Sequence, residues 1–134
     1  MQPERYEAWY TTRRGAWIGE EEYRLIASLL ARRPGETLLD AGCGTGYFTR
    51  RFAADVADGN VVGTDIDFDM LRFATGHSRG IGFAAADARR LPFPDDSFDL
   101  VVSITALCFI REERLALREM LRVARRWLPG CQAV

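Results

Sequence analysis

The sequence predicts an α/β domain built on a mostly parallel sheet, and three observations predict it. Leu38-Leu39-Asp40-Ala41 reads as a short buried strand running into the glycine bend Gly42-Cys43-Gly44-Thr45-Gly46. A second apolar strand, Val61-Val62-Gly63-Thr64-Asp65, follows an intervening helical pattern. Strand, helix and strand within about 30 residues form a βαβ unit, which is parallel and right-handed. Finally, three successive strands end on a carboxylate, Asp40, Asp65 and Asp87, at the sheet edge where open parallel sheets bind their ligands.

The elements follow in order. Met1 to Gly19 mixes Tyr6, Trp9, Tyr10 and Trp17 with Arg5, Arg13 and Arg14, and that much aromatic surface favours burial over a free tail. Glu20 to Arg33 carries a helical stripe at Tyr23, Ile26, Leu29 and Leu30, and Pro34-Gly35 ends it. Thr37 to Ala41 is the first strand. A helix from Thr45 to about Val56 places Phe48, Phe52 and Val56 on one face, and Asp58-Gly59-Asn60 is a turn. After the second strand, Phe68 to His77 forms a helix through Met70, Leu71, Phe73 and Ala74. Gly82 to Ala86 is a short third strand stopping at Asp87, followed by a proline-stiffened connection. Phe98 to Thr105 is almost continuously apolar, the mark of a strand covered on both faces. A last helix from about Arg111 to Trp127 turns Leu117, Met120 or Leu121, Ala124 and Leu128 inward, and Pro129-Gly130 stops it.

At 134 residues the chain forms a single domain, with residues 1–19 folding over the ligand edge. Hydrophobic content of 48% and charged content of 28% are ordinary for a globule. A formal net charge of -1, with the basic residues dispersed among the acids, argues against nucleic acid or an anionic membrane as partner. Cys43, Cys108 and Cys131 are odd in number and form no paired motif, so neither a disulfide framework nor a metal site is expected. The longest apolar run, Leu100 to Ile110, is shorter than the roughly 18 residues of a membrane span. No signal-peptide core follows Met1, and a cytoplasmic location is expected.

The glycine bend is a ligand cradle, because glycine lets backbone turn to positive φ and touch a ligand without Cβ in the way. A dinucleotide-binding bend would carry glycine where Tyr47 stands, and a preceding carboxylate suits a cationic ligand better than a pyrophosphate. Asp-x-Gly-x-Gly-x-Gly over residues 40–46 resembles motif I of the class I S-adenosylmethionine-dependent methyltransferases. Residues 61–71 resemble the family's second motif. Residues 85–101, with Asp87 and Leu91-Pro92-Phe93-Pro94, resemble the third, and Leu121-Arg122-Val123 with Leu128-Pro129-Gly130 resembles the segment before strand five. The subgroup most similar is the type 11 or UbiE-like small-molecule methyltransferases.

The resemblance implies a Rossmann-like three-layer α/β/α sandwich with strand order 3-2-1-4 and a cofactor, S-adenosyl-L-methionine, that leaves as S-adenosyl-L-homocysteine. It implies that the backbone of Gly42, Cys43, Gly44 and Gly46 approaches the methionine part while Asp40 balances its ammonium. Asp65 would accept the ribose hydroxyls, Ile66 and Met70 flank the adenine or serve simply as core, and Asp87 and the Ala88 N–H meet the adenine edge. Ser103 faces the methyl end, and Tyr10 or Arg14 folds over the site, although a solvated arginine is the plainer reading of Arg14. No general base is named, and His77, the one histidine, reads as a surface residue.

Family members usually continue through a fifth strand and a hairpin, whereas this sequence ends at Val134, leaving at most a stub of strand five and Cys131 where glycine is usual. Strand four would then be an edge with unpaired N–H and C=O groups, and self-association as a homodimer along it is expected. Two functions remain open at this level: methyl transfer to an unidentified small-molecule acceptor, or cofactor binding without catalysis by a truncated relative.

Overall fold

The computed structural model describes residues 2–55 and 60–126. Four parallel strands form one sheet: β1 Leu38–Ala41, β2 Val61–Asp65, β3 Gly82–Ala85 and β4 Leu100–Val102, in the order β3-β2-β1-β4. The register aligns Asp40 with Gly63 and Val102, and Asp65 with Ala85, so the strands end together along one edge. The helices are α1 Pro3–Trp9, α2 Arg13–Leu30, α3 Tyr47–Asp55, α4 Phe68–Gly76 and α5 Glu113–Val123, with a short 3-10 turn at Leu107–Phe109. The α/β class and the strand order expected from the sequence are those observed.

Every residue of β1 is buried, as its central position requires. Side-chain alternation divides its apolar residues between two cores. Leu38 joins Val61, Leu100 and Val102 beneath Ile26 of α2 and Phe48 and Phe52 of α3. Leu39 faces the other way, onto Leu91, Phe98 and Val123. The sheet is thus the middle of three layers, with α2 and α3 on one side and α5 with the 88–98 connection on the other.

Several boundaries move for identifiable reasons. The aromatic N-terminal segment is itself helical. Thr12 caps α2, its hydroxyl accepting from the Gly15 N–H at 3.0 Å, so α2 begins seven residues before Glu20 and ends at Ala31, whose φ is +45°. Strand β4 stops at Val102, ahead of Thr105 at φ +57°, and Phe98 before it pairs only as an isolated bridge with Ala124. Helix α5 ends at Val123 instead of continuing to Trp127. The Val123 carbonyl accepts the Phe98 N–H at 3.0 Å, and the Arg125 N–H donates to the Phe98 carbonyl at 2.8 Å, so the chain leaves the helix to cover the lower edge of β4. Ala116, Met120 and Val123 are the buried face of α5, while Leu121 is exposed. The expectations placed on Val56, the 58–59 turn, Trp127, Leu128, Pro129-Gly130, Cys131 and a strand-five stub lie outside the described residues.

Candidate active site

Beyond the carboxyl ends of the strands lies a cleft of about 510 Å³. Its floor is the glycine bend. Gly42 has φ +80°, and a Cβ there would lie 2.5 Å from the Ala106 Cβ, so the loop after β4 closes directly onto the bend. Gly44 has φ +55°, and among the described residues nothing lies within 4 Å of its Cβ position, so its Cα faces open space. Gly46, at φ +82°, does not line the cleft. A Cβ there would meet Arg50 and, at 3.2 Å, the Ala74 Cβ, so this glycine lets α3 start close against α4.

The three strand-terminal carboxylates converge on this cleft. Asp40 is 2% exposed and accepts from the Thr49 hydroxyl at 2.8 Å. Burial, reinforced by the nearby negative charge of Asp65, pushes its pKa up to about 7 against the pull of the Thr49 hydrogen bond. Asp65 orders the backbone around it, its Oδ2 accepting the Gly44 N–H at 2.8 Å and its Oδ1 the Asp67 N–H at 2.9 Å. A carboxylate offers about four lone-pair positions, so two remain for a ligand. Asp87 is gripped by Arg89, whose side-chain and backbone N–H groups hold its carboxyl below the usual range.

Of the other residues expected at the site, Cys43, Ile66, Met70 and Ala88 line the cleft, with Ile66 66% exposed at its mouth. The Cys43 thiol is pushed up by burial and by its acidic neighbours, and is an inert part of the turn. Ser103 is buried behind the wall, its Oγ without a hydrogen-bond partner among the described residues, and does not line the cleft. Tyr10 and Arg14 are also outside. The Tyr10 ring stacks on Tyr47 at 3.8 Å, and burial with the Tyr6 hydrogen bond raises its pKa, while Arg14 is exposed on α2. Tyr6, one turn earlier, occupies the cleft wall in their place. His77 is exposed, with Nδ1 against the Phe73 carbonyl, away from the cleft.

A latch that sequence reasoning missed ties the N-terminal segment to the glycine bend. Glu7 Oε2 accepts from the Thr45 hydroxyl at 2.5 Å, and its Oε1 accepts from Arg50 Nη2 at 2.5 Å. Arg50 Nη1 in turn donates to the Thr45 carbonyl at 2.8 Å. Helix α1 is therefore tied to the end of the glycine bend. Sequence reasoning also passed over Arg89, Phe109 and Arg111 on the walls; Phe109, 84% exposed on a cleft, is the kind of residue an apolar run only partly signals.

A glycine bend after β1 and acids ending β1, β2 and the β3 segment are the layout of the family resemblance. The family described as "Methyltransferase domain" matches residues 39–126. The chain belongs to this family. Ubiquinone/menaquinone biosynthesis C-methyltransferase UbiE of Ectopseudomonas mendocina is 40% identical over 114 residues, covering 80% of this chain and 43% of that protein. The chain therefore spans less than half the length of such a methyltransferase relative. Among solved structures, the YcgJ protein from Bacillus subtilis superposes with a TM-score of 0.74 at 28% identity, covering 80% of this chain and 47% of that one. The cyclase SpnF superposes with a TM-score of 0.71 at 32% identity, covering 78% and 40% respectively. The methyltransferase fold thus carries a second chemistry in one neighbour, and function has to be argued from the site. No helix among the described residues is long and apolar enough to cross a membrane.

Proposed function

We propose that this chain binds S-adenosylmethionine in the cleft and belongs to an enzyme that transfers its methyl group to a small-molecule acceptor. The observation that carries the reading is the convergence of Asp40, Asp65 and Asp87 on one cleft beside the uncrowded Cα of Gly44. The residues present fit the ligand. The volume lies in the range of small-molecule sites, the two lone-pair positions left on Asp65 match a pair of ribose hydroxyls, and Ile66 and Met70 offer apolar surface to a purine.

When bound, the cofactor supplies a methyl carbon on a sulfonium that is already an activated leaving group. The chain's task is to bind and align. Asp40, whose carboxyl is pushed up to about 7 by burial, would be drawn to the carboxylate form by the cofactor's ammonium and would neutralise it. The Thr105-Ala106 segment, packed onto Gly42, walls off the end of the cleft opposite Asp87 and Ala88. Holding an acceptor in line can supply several kcal/mol of rate enhancement without a general base, which is needed only when the acceptor arrives protonated. Self-association along the β4 edge is part of the same proposal, confined to the portion above the Ala124–Arg126 pairing.

The test is calorimetry with S-adenosylmethionine, S-adenosylhomocysteine and NAD, followed by a search for S-adenosylhomocysteine release with candidate acceptors. Uptake of both adenosyl compounds with no affinity for NAD is expected. Uptake with no turnover on any acceptor would favour a binding role, and preference for NAD would contradict the reading.

A further inference from the structure

The segment after β4 carries a part of the cleft that the cofactor reading does not use. It leaves the 3-10 turn Leu107–Phe109 through Ile110, which is extended at φ -95° and ψ 123°, and bends into α5 at Glu112, whose φ is +60°. Phe109, Ile110 and Arg111 of this strip all line the cleft. The Phe109 ring is 84% exposed, an apolar surface left facing water on the wall of a concave site. Two of the lining residues are cationic, Arg89 and Arg111. Arg89 is committed to Asp87, at 2.7 Å. Arg111 is exposed and has no ion pair or side-chain hydrogen bond among the described residues, and the adjoining Glu112 makes none with it.

We propose that Phe109 and Arg111 form the acceptor subsite of the cleft, and that it takes a planar, apolar acid: the ring lies against Phe109 and the carboxylate is held by the Arg111 guanidinium. This rests on the cofactor reading above, which assigns the glycine bend and the strand-end acids to the cofactor, and adds to it the class of acceptor. Two residues of extended chain span at most about 7 Å, so one small molecule reaches both side chains. An aromatic ring offers a flat partner to another ring, and a guanidinium presents paired N–H donors that match the two oxygens of a carboxylate. A neutral ring of the same shape gains the Phe109 contact alone, and an open-chain acid the Arg111 contact alone. The pair therefore selects molecules that carry both groups. The charge of the cleft is compatible with an anion on this wall, because Asp87 is already met by Arg89 and the cofactor brings a positive sulfonium.

The experiment titrates three probes into the protein saturated with S-adenosylhomocysteine, followed by NMR: 2-naphthoate, its uncharged isostere 2-naphthamide, and hexanoate, an acid without a ring. Wild type is compared with Arg111→Gln and Phe109→Ala, both at exposed positions outside the two buried cores. Wild type should prefer 2-naphthoate to either of the other probes. Arg111→Gln should weaken 2-naphthoate about tenfold, the scale of a charge-assisted contact, and bring it level with the amide. Phe109→Ala should weaken naphthoate and naphthamide alike and leave hexanoate little changed. Acid and amide bound equally by wild type, or naphthoate bound as well by Arg111→Gln as by wild type, would overturn the subsite. So would a matching fall in S-adenosylhomocysteine affinity in both variants, since they would then act through the cleft as a whole. Failure of wild type to take up S-adenosylhomocysteine would overturn the cofactor reading, and with it the acceptor role of this wall, whatever the acid does.

Discussion

The Gly44 N–H donates to Asp65 Oδ2 at 2.8 Å, so the acid that ends β2 holds the bend that follows β1. Since Asp65 also accepts from the Asp67 N–H, one carboxylate orders two loops and still has lone pairs for a ligand. Asp65→Asn keeps an acceptor oxygen but sets an amide group among backbone donors. Cofactor affinity should fall tenfold or more, with a stability loss of about 1–2 kcal/mol for the compromised hydrogen bonds. Calorimetry and denaturant unfolding measure the two effects separately.

Gly42→Ala should be among the more damaging small substitutions. The new Cβ would lie 2.5 Å from Ala106 Cβ at a φ of +80°. Positive φ at a non-glycine costs about 1–3 kcal/mol before the clash is counted. Pairing it with Ala106→Gly should remove the clash and leave the backbone cost, so the double variant should unfold at a denaturant concentration between Gly42→Ala and wild type.

Asp40 makes binding and stability depend on pH in opposite directions. Its carboxyl titrates near 7 when folded, against 3.8 as the ordinary value, so the native state holds a proton that the unfolded chain has released. Its contribution is fully present below about 4 and is lost as pH rises through 7. Affinity for S-adenosylmethionine should instead strengthen from pH 6 to pH 8, because the cationic ligand favours the carboxylate. Asp40→Asn should flatten both profiles; an unchanged slope in binding titrations would contradict this role.

The Glu7 latch predicts a local effect. Glu7→Ala removes acceptors from both the Thr45 hydroxyl and Arg50, each at 2.5 Å and partly shielded from water. Global stability should fall by about 1 kcal/mol, with most of the change as faster amide hydrogen exchange in α1.

Much of this was legible in the chain because it is local. The alternation of Leu38 and Leu39, the βαβ spacing and the acids ending successive strands are short-range patterns, and they place Asp40, Asp65 and Asp87 correctly at one edge. What was not legible depends on long-range side-chain pairing. Nothing near Glu7 points to Thr45, 38 residues on, and that Tyr6 lines the cleft where Tyr10 or Arg14 was expected turns on the packing of Tyr10 against Tyr47. The early end of α5 depends on Phe98 capturing the Val123 carbonyl, which no helical periodicity encodes. The start of α2 did carry a local signal: Thr12 with Gly15 is a cap whose acceptor and donor are three residues apart.

The most direct measurement is a calorimetric titration of S-adenosylhomocysteine into wild type and Asp65→Ala, with NAD as the competing ligand. Saturable one-to-one uptake by wild type, lost on removing the Asp65 carboxylate and absent with NAD, is the expected result. Equal uptake by both proteins, or none by wild type, would contradict the claim that the strand-end carboxylates and the glycine bend form an adenosyl-cofactor site.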